Sequence, residues 1–138
     1  MFFNPAKYKA YSNSSFGTHK DEIDVAAYTA SDGKHYFLNP ANKETQNLFV
    51  ADGMDYDAST MRTTKFIPLD AVNFDLAGDA ELERMDFSKA VDKVEVTTGS
   101  VIGFENQDGR RGIMNVKISS SIYPTIQCKF QAVAKKQE

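Results

Sequence analysis

Strict alternation of apolar and polar residues is clearest near the end of the chain, over residues 125–133. Ile126, Cys128, Phe130 and Ala132 fall on one side of this segment, and polar residues fall between them. Successive side chains of a β-strand point to opposite faces of a sheet, so a period of two is typical of a strand. The segment therefore predicts a strand with one dry face and one wet face.

The same period recurs in three preceding segments, at residues 93–97, 101–106 and 112–118. Short turns separate the segments, and one turn contains Asp108-Gly109, a pair typical of hairpins. Consecutive strands joined by short turns pair antiparallel. Residues 93–133 are therefore predicted to form a four-stranded antiparallel meander. Residues 23–92 are expected to cover its dry face.

A second hairpin is predicted in the first third of the chain. Residues 23–29 and 35–38 have the composition of strands, and Asp32-Gly33 lies in the turn between them. The dipeptide Asn39-Pro40 is expected to end the second strand. Residues 1–22 contain turn and loop residues and are expected to form an irregular lead-in.

Short helical segments are expected between the two hairpins. One is predicted at residues 43–50, and another runs from an N-cap at Asp79 to about Met85. Asp86 is expected to cap a further turn, and residues 63–67 are expected to form a short strand. The predicted fold is therefore mainly β: a β-sandwich, or an antiparallel sheet with one or two short helices. It forms a single domain over residues 1–138, with a frayed tail at 134–138.

Length and composition exclude several classes of protein. The chain has 138 residues, of which 41% are hydrophobic and 25% charged, as in ordinary globular domains rather than disordered chains. The net charge is -3, and the longest basic clusters are the pairs at 110–111 and 135–136, so no nucleic-acid partner is predicted. No stretch approaches the roughly 20 apolar residues of a membrane helix, so no transmembrane segment is predicted.

The single cysteine limits the covalent and metal chemistry of the chain. Cys128 has no partner for a disulfide within the chain, and a zinc site with several cysteines is excluded. Its apolar strand neighbours are expected to raise its thiol pKa, which argues against a nucleophile. The N-terminus lacks the pattern of an export signal, so Met1 is either the natural start or follows a removed leader.

Three acidic residues are the strongest metal candidates. Asp52, Asp55 and Asp57 lie within six residues on a predicted loop, and calcium binds carboxylate oxygens on such loops. Their spacing differs from that of an EF-hand loop, and no glutamate stands at the position of the bidentate ligand. We therefore interpret them as a solvated acidic turn and predict no metal site and no cofactor.

The catalytic candidates are equally sparse. His19 and His35 are the only histidines and belong to no metal or catalytic motif. His35, beside Tyr36, suits a ligand contact or a general base, but the favoured interpretation is a strand-end histidine with its ring half in water. Arg110-Arg111 is suited to gripping an anion, but the favoured interpretation is a soluble hairpin tip. The nucleophile-elbow and phosphate-loop patterns are absent, so no catalytic residue is predicted.

Several segments resemble exported Bacteroidetes domains of unknown function. The run VIGF at 101–104, followed by DGRRGIMNV at 108–116, is similar to a hairpin common near the C-terminus of those domains. NPAKYKAYS at 4–12 resembles their lead-in, and IDVAAY at 23–28 with Asn39-Pro40 resembles their first strand pair. The resemblance implies a secreted or surface-lipoprotein module with no established chemistry, and it assigns no functional residue.

These observations favour a non-enzymatic binding or interaction module, exported to the periplasm or cell surface. Its expected partner is a protein or a glycan. A structural subunit of a larger assembly, such as a virion or a surface appendage, is the first alternative, and would place the chain in a virion or in the cytoplasm. The second is an enzyme whose site is assembled from scattered residues such as Tyr28, His35 and Asp55, because fold alone does not determine function.

Overall fold

The computed structural model describes residues 1–69, 72–118 and 124–130, and in the last of these ranges it describes only the side chain of Ile126. These ranges contain nine strands and two α-helices. The strands are β1 (Phe2–Asn4), β2 (Lys9–Tyr11), β3 (Val25–Thr29), β4 (His35–Leu38), β5 (Thr64–Pro68), β6 (Lys93–Val96), β7 (Val101–Asn106), β8 (Arg111–Ile118) and β9 (Pro124–Phe130). The helices are α1 (Lys43–Ala51) and α2 (Asp79–Arg84).

The strands form two antiparallel sheets. The first sheet has the order β2-β1-β3-β4-β6, and the second has the order β5-β7-β8-β9. Both predicted hairpins are present, and each turns at a glycine with positive φ, 86° at Gly33 and 76° at Gly109. The prediction of a mainly β fold with one or two short helices is confirmed.

The two sheets face each other across a central core, so the architecture is sandwich-like. Phe37 of the first sheet and Phe66 and Phe104 of the second are fully buried in it. The apolar residues with period two in β3, β6 and β8 point into the same layer. Its buried members are Phe3, Val25, Ala27, Phe37, Phe66, Val94, Val96, Ile102, Phe104, Met114 and Val116.

The outer face of the first sheet is covered by α1 and by the loop that follows it. Phe2 is the centre of an aromatic cluster there, with ring centroids 4.7 Å from Phe16 and 4.9 Å from Phe49. The Tyr56 ring stacks on Phe16 at 5.1 Å, and its hydroxyl donates to the carbonyl of Pro40 at 2.5 Å. Three phenylalanines, Phe2, Phe16 and Phe49, therefore help to cover this sheet on its outer side.

The outer face of the second sheet is also covered, by α2 and the residues around it. Ile113 is fully buried on this face, although its neighbour Met114 points into the central core. Ile67 packs with Leu82 and Met85 in the same outer cluster. The expectation that one face of this sheet is exposed to water is therefore wrong at the centre of β7 and β8. Helix α2 and the residues around it cover that face.

Strand β6 corrects the prediction of a four-stranded C-terminal meander. It pairs with β4, with Val94 opposite Phe37, and so belongs to the first sheet. Strands β7, β8 and β9 alone form the meander. The alternation of β6 determines which of its side chains are buried but not which strand it joins, because both sheets face the same core. Backbone hydrogen bonds between Phe66 and Val91, at 3.0 and 2.9 Å, link the two sheets beside it.

The N-terminal segment corrects the prediction of an irregular lead-in over residues 1–22. It contributes β1 and β2 to the first sheet, and the Phe2 side chain is fully buried. Helix α2 begins at Asp79, with Gly78 rather than Asp79 at the N-cap. The predicted tail at 134–138, and residues 131–133 of the last predicted strand, lie outside the described residues.

Candidate ligand-binding groove

An open groove lies on the outer face of the second sheet, between the end of β5 and α2. Its volume is about 490 Å³, which is within the usual range of small-molecule sites, roughly 300–1,000 Å³. We call it the α2 groove. It is lined by Ile67, Pro68, Leu69, Val72, Glu81, Arg84, Met85, Asp86 and Lys89.

The floor of the groove depends on a glycine in β7. A Cβ atom added at Gly103 would lie 2.5 Å from the Met85 sulfur, 3.0 Å from Ile67 Cγ1 and 3.1 Å from Leu69 Cδ1. All three neighbours line the groove, so the missing side chain allows them to approach the sheet closely. A glycine inside a strand often marks such an approach. The shape of the floor is therefore fixed by packing inside the protein.

Helix α2 forms the other wall and is held at both ends. At its start the Glu81 carboxylate accepts a hydrogen bond from the Gly78 backbone N–H at 2.9 Å. At its end Arg111 Nη1 donates to the carbonyls of Leu82, Glu83 and Met85, at 3.1, 3.0 and 3.0 Å. These bonds satisfy backbone groups that a helix end leaves without partners.

Arg111 therefore has a role that differs from the predicted one. Its side chain is only 13% exposed, and its Nε lies 2.9 Å from a Glu105 carboxylate oxygen. The guanidinium also lies 4.9 Å from the centre of the Phe87 ring. The interpretation of Arg111 as a solubilising residue of the hairpin tip is wrong, because the side chain folds back to hold α2. Arg110 beside it is half-buried and has interactions of its own.

The rim of the groove carries four charged side chains. Glu81 and Asp86 are acidic, and Arg84 and Lys89 are basic. Arg84 Nη2 donates to Glu81 at 3.1 Å, and Asp86 accepts from the Ser88 backbone N–H at 2.9 Å. The backbone N–H of Ser88 holds the pKa of Asp86 below its ordinary value. The groove thus combines an apolar floor with a charged edge.

The three aspartates considered as calcium ligands serve separate purposes. Asp57 caps the turn Ala58–Thr60 and accepts from the Ser59 N–H at 3.0 Å and from the Ser59 hydroxyl at 2.7 Å. Asp52 ends α1, and Asp55 is exposed. In the described ranges no three side chains of the metal-binding types form a group that holds an ion.

His35 and Cys128 lie in strands, as the sequence indicates. The His35 ring is buried rather than half in water, and its Nδ1 lies 2.8 Å from the Thr29 hydroxyl. Tyr28 and Tyr36 pack in the outer cluster of the first sheet. Phe37, which follows Tyr36 in β4, faces the central core instead. Cys128 pairs with Met114 along the backbone, and its side chain lies outside the described part of the chain.

Glu22 lies at the centre of a polar cluster that no sequence pattern indicates. Lys7 and His19 each bond to its carboxylate, with His19 Nδ1 at 3.0 Å, and the Tyr11 hydroxyl donates at 3.2 Å. The hydrogen bond from Lys7, followed by that from His19, lowers the pKa of Glu22 to about 2. His19 also stacks on Tyr11, with 4.1 Å between ring centroids. One carboxylate thus holds the N-terminal hairpin against the turn before β3.

Comparisons with protein-family models, with curated proteins and with solved structures found no match to this chain. Neither helix in the described ranges has the length and apolar character needed to cross a membrane. The α2 groove is the described feature that best combines apolar surface with accessible charged groups.

Proposed function

We propose that this protein is a non-enzymatic binding module, exported to the periplasm or the cell surface, whose ligand occupies the α2 groove. The observation that supports this proposal is the apolar groove with a floor packed on Gly103. Small-molecule sites are usually preformed, mostly apolar, and marked by a few polar groups at one edge.

The lining of the groove favours an apolar small molecule over a glycan. Its floor consists of aliphatic and thioether side chains, its rim carries charged ones, and none of the described lining residues is aromatic. Sugar rings are commonly bound on aromatic faces. Outside the groove, the half-buried Tyr36 ring already has the Lys93 ammonium 4.6 Å from its centre. The ligand is therefore expected to place an apolar portion on Met85 and Leu69.

Glu22, His19 and His35 are bonded to other residues of the chain and lie away from the groove, which favours a binding role over catalysis. Glu22 is occupied by Lys7, His19 and Tyr11, and His35 is buried against Thr29. None of these groups lines the groove. A catalytic acid or base must reach the substrate within hydrogen-bond distance. The charged groups on the rim of the groove are instead suited to orienting a bound molecule.

Binding is tested with Nile red, a neutral apolar dye whose fluorescence rises in apolar surroundings. Leu69 is half-buried in the groove floor, so Leu69→Asn places a polar amide there and is expected to weaken binding by about fivefold or more. Val50→Asn is the matched control, because Val50 is 49% exposed on α1 and does not line the groove. Urea unfolding of both variants confirms that each is folded.

Equal dye affinity in the wild type and both variants would refute the groove as the binding site. Export is tested separately by fractionating cells that produce the protein, and recovery from the cytosol alone would refute it. A role as a structural subunit instead predicts self-association in solution at high protein concentration, which mass measurement detects.

A further inference from the structure

The rim of the α2 groove offers mainly hydrogen-bond donors. Both oxygens of Glu81 are engaged, one by Arg84 at 3.1 Å and the other by the Gly78 N–H at 2.9 Å. Arg84 uses one Nη for this bond, and a guanidinium carries five N–H donors. Lys89 is exposed and makes no hydrogen bond to another described residue. Its ammonium adds three donors.

The two carboxylates on the rim, Glu81 and Asp86, each have partners within the chain. Asp86 accepts from the Ser88 N–H at 2.9 Å, and it also interacts electrostatically with Lys89. Arg84 is 72% exposed, so its remaining donors point toward water or toward a ligand rather than into the protein. A ligand that accepts hydrogen bonds and carries negative charge matches this edge better than a cationic ligand does.

We infer that the ligand of the α2 groove is a single-chain carboxylate, whose apolar tail lies on Ile67, Leu69 and Met85 and whose head binds Arg84 and Lys89. This inference rests on the proposed function and assigns the chemical class of its ligand. A guanidinium binds a planar carboxylate through two parallel hydrogen bonds, and the lysine contributes a point charge beside it. The aliphatic floor matches an alkyl chain.

The experiment compares two probes that share a ten-carbon tail, decanoate and 1-decanol, each competing with Nile red. Decanoate is expected to bind about threefold to tenfold more tightly than decanol at low salt, because its head gains charge-assisted hydrogen bonds. Raising the salt concentration to about 0.5 M is expected to weaken the binding of decanoate but not of decanol, because salt screens exposed charges.

The variants test which cations bind the head. The double variant Arg84→Met with Lys89→Met is expected to bind both probes equally, since methionine keeps the apolar stem and removes the charge. Lys43→Met is the matched control, because Lys43 is an exposed lysine on α1 outside the groove. It is expected to keep the full preference for decanoate.

The outcomes separate this inference from the proposed function. Equal binding of decanoate and decanol by the wild type would overturn the carboxylate assignment and leave an apolar site in place. Failure of both probes to compete, together with no Nile red binding, would refute the proposed function itself. A peptide ending in a leucine carboxylate that competes more strongly than decanoate would overturn the assignment to a free single-chain acid, because the site would then bind a peptide terminus.

Discussion

The two carboxylates that share Arg62 give the sharpest test of what stabilises this fold. Asp24 is 3% exposed and accepts from Arg62 Nε at 2.7 Å through one oxygen, and from Asn106 Nδ2 at 3.1 Å through the other. Asp108 is 56% exposed and accepts from Arg62 Nη2 at 2.8 Å. Because Asp24 precedes β3 and Asn106 ends β7, the network joins the two sheets at one end.

The substitution Asp24→Asn keeps the shape of the side chain but cannot keep both bonds. Its amide nitrogen would face either Arg62 or the Asn106 amide nitrogen, and both of these groups are donors. Asn106 cannot rotate its amide without loss, because its oxygen already accepts from the N–H groups of Asp108 and Arg110, at 3.0 and 3.1 Å. Losing a charge-assisted bond and leaving a buried donor without a partner is expected to lower the free energy of unfolding by about 2–4 kcal/mol.

Asp108→Asn is the internal control. It removes the charge of the other carboxylate bound to Arg62, whose hydrogen bond has a similar length but is exposed to solvent. Exposed ion pairs contribute about 0–1 kcal/mol, so this variant is expected to remain within about 1 kcal/mol of the wild type. Urea unfolding of both variants measures the difference, and with a slope of about 2 kcal/mol/M the midpoints are expected to differ by roughly 1 M. Equal losses in the two variants would refute the argument that burial gives the Asp24 bonds their strength.

Three further changes test other parts of the structure. Gly103→Ala is expected to lower the free energy of unfolding in urea by about 1–3 kcal/mol and to weaken Nile red binding, because the added Cβ crowds the groove floor. Gly17→Ala is the control, because an added Cβ there meets no atom within 4 Å, and it is expected to change the free energy of unfolding by less than about 0.5 kcal/mol. Tyr56→Phe leaves the buried Pro40 carbonyl without its donor and is expected to cost about 1–2 kcal/mol, so unchanged stability would contradict the assigned bond. The pKa of Glu22 lies at about 2 in the folded protein, below its ordinary value of 4.5, so its stabilising effect is present above about pH 4.5 and is lost as the pH falls toward 2. The melting temperature is therefore expected to fall less steeply with acid in Glu22→Gln than in the wild type, and identical slopes would exclude this role.

Local elements of the fold were predictable because short-range chemistry determines them. Strand β4 begins and ends at the predicted residues, His35 and Leu38, and the Asp-Gly turn before it has the expected positive φ at Gly33. Asp86 caps its turn through the Ser88 N–H as predicted. In each case the signal and the structure it determines lie within a few residues of each other.

Strand pairing was not predictable from the same patterns. The alternation of β6 correctly indicates that Val94 and Val96 are buried, but it fits either of two sheets that face one core. The pattern does not indicate strands within residues 1–22, because the aromatic residues there stand among turn residues. Phe2 is buried by partners up to 54 positions away, such as Tyr56. Long-range packing of this kind has no period that a single sequence displays.

No sequence pattern indicates the groove, because its walls come from segments without regular alternation. Leu69 follows a strand, and Met85 follows a helix of six residues. One signal was present, namely Gly103 inside an otherwise apolar strand, which indicates the close approach of another part of the chain. The sequence alone does not identify what approaches, and the answer is Met85 with the floor of the groove.

The position of the groove follows from how unequally the two sheets are covered. The first sheet is covered by α1, nine residues long, together with aromatic side chains that fill the space beside it. The second sheet is covered by α2, which is six residues long and spans roughly 9 Å at 1.5 Å per residue, less than the length of β8. A cover of that length leaves Pro68, at the end of β5, exposed and Leu69 half-buried beside it. Arg111 holds the short helix in place from the sheet side, so the groove persists without requiring the helix to be stable alone. The same shortness that leaves the second sheet incompletely covered therefore leaves room for the α2 groove beside the helix.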